Sequence, residues 1–332
     1  MQVLVHQFAQ GLEPENVPTF QCSAPVQACR EGGFALVALI SDILDIRRCR
    51  SKHVDRYFCR LVLSSGAMSS PPPVRLRTIA LPVEHGGWGF LAEPILLGLA
   101  LAPSWAGLAI GLATLAAFLM RHPAKLYWRN RHRLDLSPRF RIARRFALLY
   151  AALALGGFAV ALALAGWRPL APFLMLSPLL AVYAAFDVQN KARRLLPELT
   201  APMGLAASAP AIALAGGWGW TGAWVLWLLL QARAVPSILY VRARLRLERG
   251  DEIDRRPSDL SHLAAAVLGV ALWRAAFAPG LTVGALAVLL ARALRGLSRN
   301  RRPAKAKEVG FSELGFGLGY VLATVLGYRL GL

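Results

Sequence analysis

Long Ala/Leu/Gly runs alternate with short Arg/Lys clusters from about residue 76 to the C-terminus, and this alternation limits the chain to very few folds. An apolar run of about 20 residues, coiled as an α-helix, matches the hydrocarbon core of a bilayer. A helix satisfies its own backbone polar groups, so it can cross where no water is available. Composition points the same way. The 332 residues are 56% hydrophobic, yet the formal net charge is +20. The two values are compatible only if apolar and basic residues are segregated along the chain. A basic balance also fits nucleic-acid binding. Here the basic clusters sit between apolar runs, so the charge reads as membrane topology and no nucleic-acid partner is expected.

The pattern predicts an all-α membrane protein with eight or nine transmembrane helices. The spans fall at about 79–101, 105–120, 146–165, 170–186, 199–215, 219–240, 262–278, 281–294 and 309–328. The first starts nearer 87 if Glu84 and His85 lie outside the membrane. Segments 121–145, 187–197, 231–260 and 292–307 hold 9, 3, 7 and 7 Lys/Arg, whereas Arg168 is the one basic residue in the opposite turns. By the positive-inside rule, the basic loops and the N-terminus face the cytoplasm, with the chain in the inner (plasma) membrane. Trp105, Trp167, Trp218 and Trp220 then form an aromatic belt at the outer face.

Residues 1–67 have a different texture, mixed and polar. They contain all four cysteines, Cys22, Cys29, Cys49 and Cys59, whose spacings fit no zinc motif. Composition changes at Met68, which starts Met-Ser-Ser-Pro-Pro-Pro. Two domains are expected: an extension at 1–67, and a polytopic domain at 68–332. The extension is either a translated cytoplasmic or disordered segment, or upstream sequence before a start at Met68. Expressing residues 68–332 should give normal membrane insertion and thermal stability. A large loss of either would show that the extension packs on the helices.

The chain contains an internal repeat. Pro123-Ala-Lys-Leu126-Tyr127-Trp-Arg129-Asn-Arg131-His-Arg133 aligns with Pro236-Ser-Ile-Leu239-Tyr240-Val-Arg242-Ala-Arg244-Leu-Arg246. Six of eleven positions are identical, and the copies lie 113 residues apart. Arg121 and His122 precede the first proline, and Arg233 lies just before the second. As topological anchors, Tyr would sit at the head groups, Arg would snorkel and Pro would begin a loop. As the product of a parallel duplication of a four-helix unit, the motifs would border one cavity between the halves. Arg suits a phosphate there, because its planar fork donates two parallel hydrogen bonds. The expected ligand-binding set is Arg121, His122, Tyr127, Arg129, Arg131, Arg233, Tyr240, Arg242 and Arg244.

Glu84 and His85 open the first span and are the candidates for acid–base chemistry, since ionisable groups at membrane depth are costly. Glu93 lies deeper, before Pro94, and needs an Arg partner. Glu198 and Glu313 each lie about one turn into a helix from the basic side, where a carboxylate complements the helix dipole. Asp187 is placed to pair with Lys191 or Arg193. Glu248, Asp251, Glu252, Asp254 and Asp259 read as a solvated mixed-charge loop. The sequence has no metal-type His/Cys cluster and no cofactor motif.

Pro82-Val-Glu84-His85-Gly86-Gly-Trp88-Gly resembles the N-terminal signature of the YwiC-like family. So do Arg121-His122-Pro123, the Leu-Tyr-Val-Arg-Ala-Arg-Leu-Arg run at 239–246, and Lys307-Glu-Val-Gly310-Phe-Ser-Glu313. The likeness runs over about 76–328. It implies a polytopic bacterial membrane protein and no particular activity. A more distant likeness is to the UbiA-type prenyltransferases, with nine helices in a ring and Asp-rich motifs after helices 2 and 6 that hold a prenyl diphosphate through magnesium. The repeat motifs fall at those two places but carry Arg in place of Asp, so the implied contact with an anion is direct, without a metal. Three functions follow. The chain binds an isoprenoid or lipid phosphate as an enzyme or enzyme relative, or carries an anionic metabolite as a permease, or binds anionic membrane lipid without catalysis.

Overall fold

Helix is the one regular structure among the described residues, as chain crossing a membrane requires. The computed structural model describes residues 76–81, 87–130 and 138–332, which lie within one unit of the chain, 73–332. Glu84, His85, Arg131 and the extension at 1–67 lie outside the described residues. A helical turn at Arg77–Ala80 precedes α1 (Gly87–Leu101), α2 (Trp105–Asn130) and α3 (Pro138–Ala165). Then come α4 (Ala171–Val188), α5 (Leu195–Leu205), α6 (Ser208–Ala215) and α7 (Trp220–Leu247). The chain ends with α8 (Arg256–Arg274), α9 (Gly280–Gly296) and α10 (Ala306–Leu330).

Helices stand at all nine expected positions, with α5 and α6 sharing the fifth. Among the described residues, six segments are long and apolar enough to cross a membrane, against the eight or nine expected: 105–128, 139–165, 168–188, 195–215, 220–247 and 306–330. The protein is therefore an all-α, multi-pass membrane protein. Its outer helices fit that setting. On α3 and α4, Leu155 and Leu174 are 71% and 72% exposed, and Leu148, Leu164 and Met175 are exposed beside them. Such apolar surface is stable against lipid, not water.

The fifth span breaks in its middle, and the carbonyls exposed at the break are met. Pro202 lies inside α5 and Pro210 within the first turn of α6, where its missing N–H interrupts no bond. The last four carbonyls of α5 all find donors. Ala206 N–H donates to Pro202 O and Ala207 N–H to Gly204 O. Trp227 Nε1 donates to Met203 O at 3.0 Å, and Ser208 Oγ to Leu205 O at 3.0 Å. In an apolar medium each unmet carbonyl would cost several kcal/mol.

The α5/α6 pair sits between α1, α2 and α7, and α1 also packs on α10. Helices α7, α8, α9 and α10 pack in succession. Close approach comes from small residues, as in membrane bundles generally. A Cβ on Gly98 would lie 2.9 Å from Ile212 Cβ, and one on Gly216 would lie 2.8 Å from the Ala102 carbonyl oxygen.

Two spans extend further than the sequence reading has them. The second continues to Asn130 and the sixth to Leu247. Pro123 and Pro236, read as loop starters, lie inside these helices. One missing hydrogen bond does not break a long helix packed on its neighbours. The described part of the first motif, 123–130, and the whole of the second, 236–246, are therefore helical. The third span starts earlier than expected, at Pro138, a residue suited to a first helical position.

Single cysteines at Arg139 and Trp218, in a background without the four native ones, should label from opposite sides of the membrane. Labelling from one side would contradict the arrangement.

Candidate functional site: a buried ion-pair cluster

Five helices bring ionisable side chains together inside the bundle, toward the basic side. Glu93 comes from the middle of α1, Arg233 from the middle of α7 and His262 from the second turn of α8. Arg292 lies near the end of α9 and Glu313 in the first half of α10. Glu93, Arg233 and His262 are 5%, 2% and 2% exposed. The side chains of Arg292 and Glu313 are 8% and 13% exposed.

Burying charge away from water is costly unless the charges pair. Here they do. Arg233 Nη2 lies 2.9 Å from Glu93 Oε1 and donates to the Glu313 backbone carbonyl at 2.9 Å. Arg292 Nη1 donates to the Glu313 carboxylate. The two guanidiniums thus converge on one residue of α10. Gly317, one turn further along α10, leaves the space that the first pair occupies. A Cβ there would lie 2.0 Å from Glu93 Oε1 and 2.6 Å from Arg233 Nη2.

His262 completes the cluster, and its bonds define its tautomer. Nδ1 is 2.8 Å from the Ser258 carbonyl, which can only accept, so Nδ1 carries the proton. Nε2 is 3.3 Å from Arg292 Nη2 and accepts. The imidazole is therefore neutral, and the cluster's four charges sum to zero. Aromatic rings wall it. Arg233 lies 5.3 Å from the Phe90 ring centre, and Arg292 lies 4.3 Å and 5.2 Å from those of Tyr240 and Phe316.

Several polar atoms of the cluster have no hydrogen-bond partner. They are Arg233 Nε and Nη1, Arg292 Nε, Glu93 Oε1 and Glu313 Oε2. Glu93 Oε1 is close to Arg233, but the pair is not aligned as a hydrogen bond. Five such atoms in one buried place are unusual, since native proteins leave few polar groups unmet.

The residues singled out in the sequence fall in different surroundings. Arg233 and Tyr240 belong to the cluster. Arg242 and Arg244 lie two residues apart on one helix, about 200° around its axis. Arg242 bonds the Glu198 carboxylate and the Arg193 carbonyl, toward α5. Arg244 bonds the Gly296 carbonyl at the end of α9 and the Arg302 carbonyl in the segment that follows, and pairs with Glu248 at 3.1 Å. Both join helices. On α2, Arg121 and Lys125 hold Asp187 at 3.5 Å and 2.8 Å. His122 Nε2 donates to the Thr78 carbonyl at 3.1 Å. Tyr127 stacks on Phe140, with ring centres 5.0 Å apart. Arg129 lies on the last turn of α2.

Two pairings differ from expectation. Asp187 meets Arg121 and Lys125 instead of Lys191 or Arg193, because α2 runs on past residue 120 and reaches the end of α4. Glu248 is paired with Arg244 and with Arg301 at 3.3 Å instead of solvated, because α7 continues to Leu247 and places Arg244 one turn before it. Glu93 has the Arg partner that its depth requires. Glu198 lies in the first turn of α5, as its helix-dipole reading has it. Arg292 and His262 escape the sequence reading. Arg292 opens a run of seven basic residues and looks like any anchor, and His262 has no motif around it.

The fold and cluster define a multi-pass helical membrane protein with a buried, charge-balanced site. Residues 81–213 match the family model described as YwiC-like protein. The match includes Glu93 and the Arg121-His122-Pro123 signature, and stops before the similar segments at 239–246 and 307–313. No curated protein and no solved structure matches the chain.

Proposed function

We propose that this membrane protein binds the anionic head of an amphipathic small molecule, an isoprenoid or lipid phosphate, at Arg233 and Arg292 inside the bundle. The observation that carries this reading is the set of buried guanidinium N–H groups without acceptors on these two arginines. A donor left unmet costs about 1–3 kcal/mol, so an acceptor that fills the place is favoured. Phosphate oxygens match two guanidinium forks, and Phe90, Tyr240 and Phe316 offer an apolar wall for the chain of the ligand. Basic residues at the membrane surface attract such head groups electrostatically. Arg129, on the last turn of α2, takes that part at the basic end of the bundle, while Arg121, Arg242 and Arg244 are held by Asp187, Glu198 and Glu248. By the positive-inside rule that end faces the cytoplasm from the inner membrane.

A second reading, a permease for an anionic metabolite, is favoured by the broken α5/α6 span. Discontinuous helices often flank transport sites, and this one packs on α1 and α7, which carry Glu93 and Arg233.

Thermal-shift titration of the detergent-solubilised protein tests the site. Farnesyl diphosphate should stabilise it, and farnesol much less. Arg233→Gln or Arg292→Gln should each weaken diphosphate binding about tenfold to a hundredfold, the worth of one charged hydrogen bond. EDTA should change little, because Arg stands where the Asp-rich magnesium motifs of prenyltransferases would be. An affinity that collapses with EDTA and survives both replacements would refute the proposal.

A further inference from the structure

The two ion pairs of the cluster are not equivalent. Arg292 holds the Glu313 carboxylate by a formed hydrogen bond. Glu93 Oε1 stands 2.9 Å from Arg233 Nη2 without hydrogen-bond alignment, and Arg233 keeps Nε and Nη1 unused. Arg233 is thus the guanidinium with donors to offer, and Glu93 the carboxylate held by charge alone.

An anion seated on Arg233 would add negative charge beside Glu93 in a site whose charges already balance. Two like charges sharing a desolvated site favour the neutral form of one of them. The groups that face Glu93 leave no other outlet. Arg233 comes from α7, and Glu313 and Tyr320 come from α10. The Tyr320 hydroxyl is committed to the Leu229 carbonyl at 2.8 Å, and Arg292 is committed to Glu313. Charged residues on the other helices packed against α1 face elsewhere: Arg121 and Lys125 of α2 face Asp187, and Glu198 of α5 faces Arg242. Helix α6 carries no charged residue.

Resting on the binding reading above, we propose that Glu93 takes up one proton when the anionic head binds Arg233, so the site accepts its ligand together with H⁺. In this step a solvent proton forms an O–H bond on the Glu93 carboxylate. Phosphate oxygens replace that carboxylate as acceptors for Arg233, and no other covalent bond changes. A site that binds an anion and a proton together suits proton-linked movement of a phosphate-bearing amphipath.

Calorimetric titration of the full-length protein with farnesyl phosphate, in two buffers of different ionisation enthalpy, counts the protons taken up. The difference between wild type and Glu93→Gln isolates the proton uptake that depends on the Glu93 carboxylate. The wild type should take up about one proton more than Glu93→Gln. Its affinity should fall by up to tenfold per pH unit on raising pH, while the variant's pH dependence is that of the ligand alone. Equal proton counts, with binding intact in both, would overturn the coupling and leave the binding site standing. No binding to wild-type protein would overturn the site, and the coupling with it. If Glu93→Gln does not yield folded protein, the wild-type count decides against separate titration of the ligand, and no excess uptake overturns the proposal.

Discussion

Replacing Glu93 by Ala is expected to destabilise the protein by about 3–5 kcal/mol, the usual cost of stranding one member of a buried ion pair. Arg233 is 2% exposed, and its guanidinium has no other carboxylate within ion-pair distance among the described residues. Without Glu93, a full positive charge would remain with one backbone acceptor, the Glu313 carbonyl. Removing both charges should be far milder. Glu93→Leu with Arg233→Met fills similar volumes with apolar groups, a change that is often neutral in buried pairs. Thermal unfolding in detergent should therefore rank wild type and the double variant close together, with Glu93→Ala well below both. The double variant should nevertheless lose ligand binding, which separates stability from function. A Glu93→Ala protein as stable as wild type would show that the pair is not held as buried charges.

Gly317→Ala is expected to be the most damaging single methyl addition on α10. The new Cβ would stand 2.0 Å from Glu93 Oε1 and 2.6 Å from Arg233 Nη2, both nearly inaccessible to water. Overpacking of this kind costs about 1–3 kcal/mol, and here it would also push apart the charges of the site. Gly319 is the internal control. It lies two residues on in the same helix and has open space where a Cβ would go. Gly319→Ala should be neutral or slightly stabilising, because Ala is the better helix former. The Gly317 effect should also depend on Glu93. Combined with Glu93→Ala, Gly317→Ala should cost less than it does alone, since the oxygen it strikes is gone. Additive costs would place the clash elsewhere.

The sequence discloses the helices well and the site only in part. Spans are legible because a membrane demands about 20 apolar residues each, a strong and nearly local constraint. Ends are less legible. Arg242 and Arg244 look like loop residues by composition, yet their charges are met by Glu198 and by the Gly296 and Arg302 carbonyls while the backbone stays coiled. The broken fifth span is hidden in the sequence, because its repair depends on Trp227, which lies over 20 residues away.

Within the site, Glu93 stands out from its depth alone, since a carboxylate in a span must find a partner. Arg233 is visible through the repeat. Arg292 and Glu313 each have an adequate local explanation, a loop anchor and a helix-dipole carboxylate. Nothing local shows that α9 and α10 bring them together. The repeat itself is real as a pattern, but its described residues serve unlike ends. Tyr127 stacks on Phe140, whereas its counterpart Tyr240 is buried against Arg292.

On the proposed function, an anionic head group enters the bundle between α7, α9 and α10 and does not rest on the basic surface. A photoreactive prenyl diphosphate, cross-linked to the protein in membranes and mapped by mass spectrometry, tests this most directly. Labelled peptides are expected from 220–247, 280–296 and 306–330, suppressed by excess farnesyl diphosphate and lost in Arg233→Gln. Labelling confined to the lipid-facing α3 and α4, unchanged by competitor and by that replacement, would contradict it.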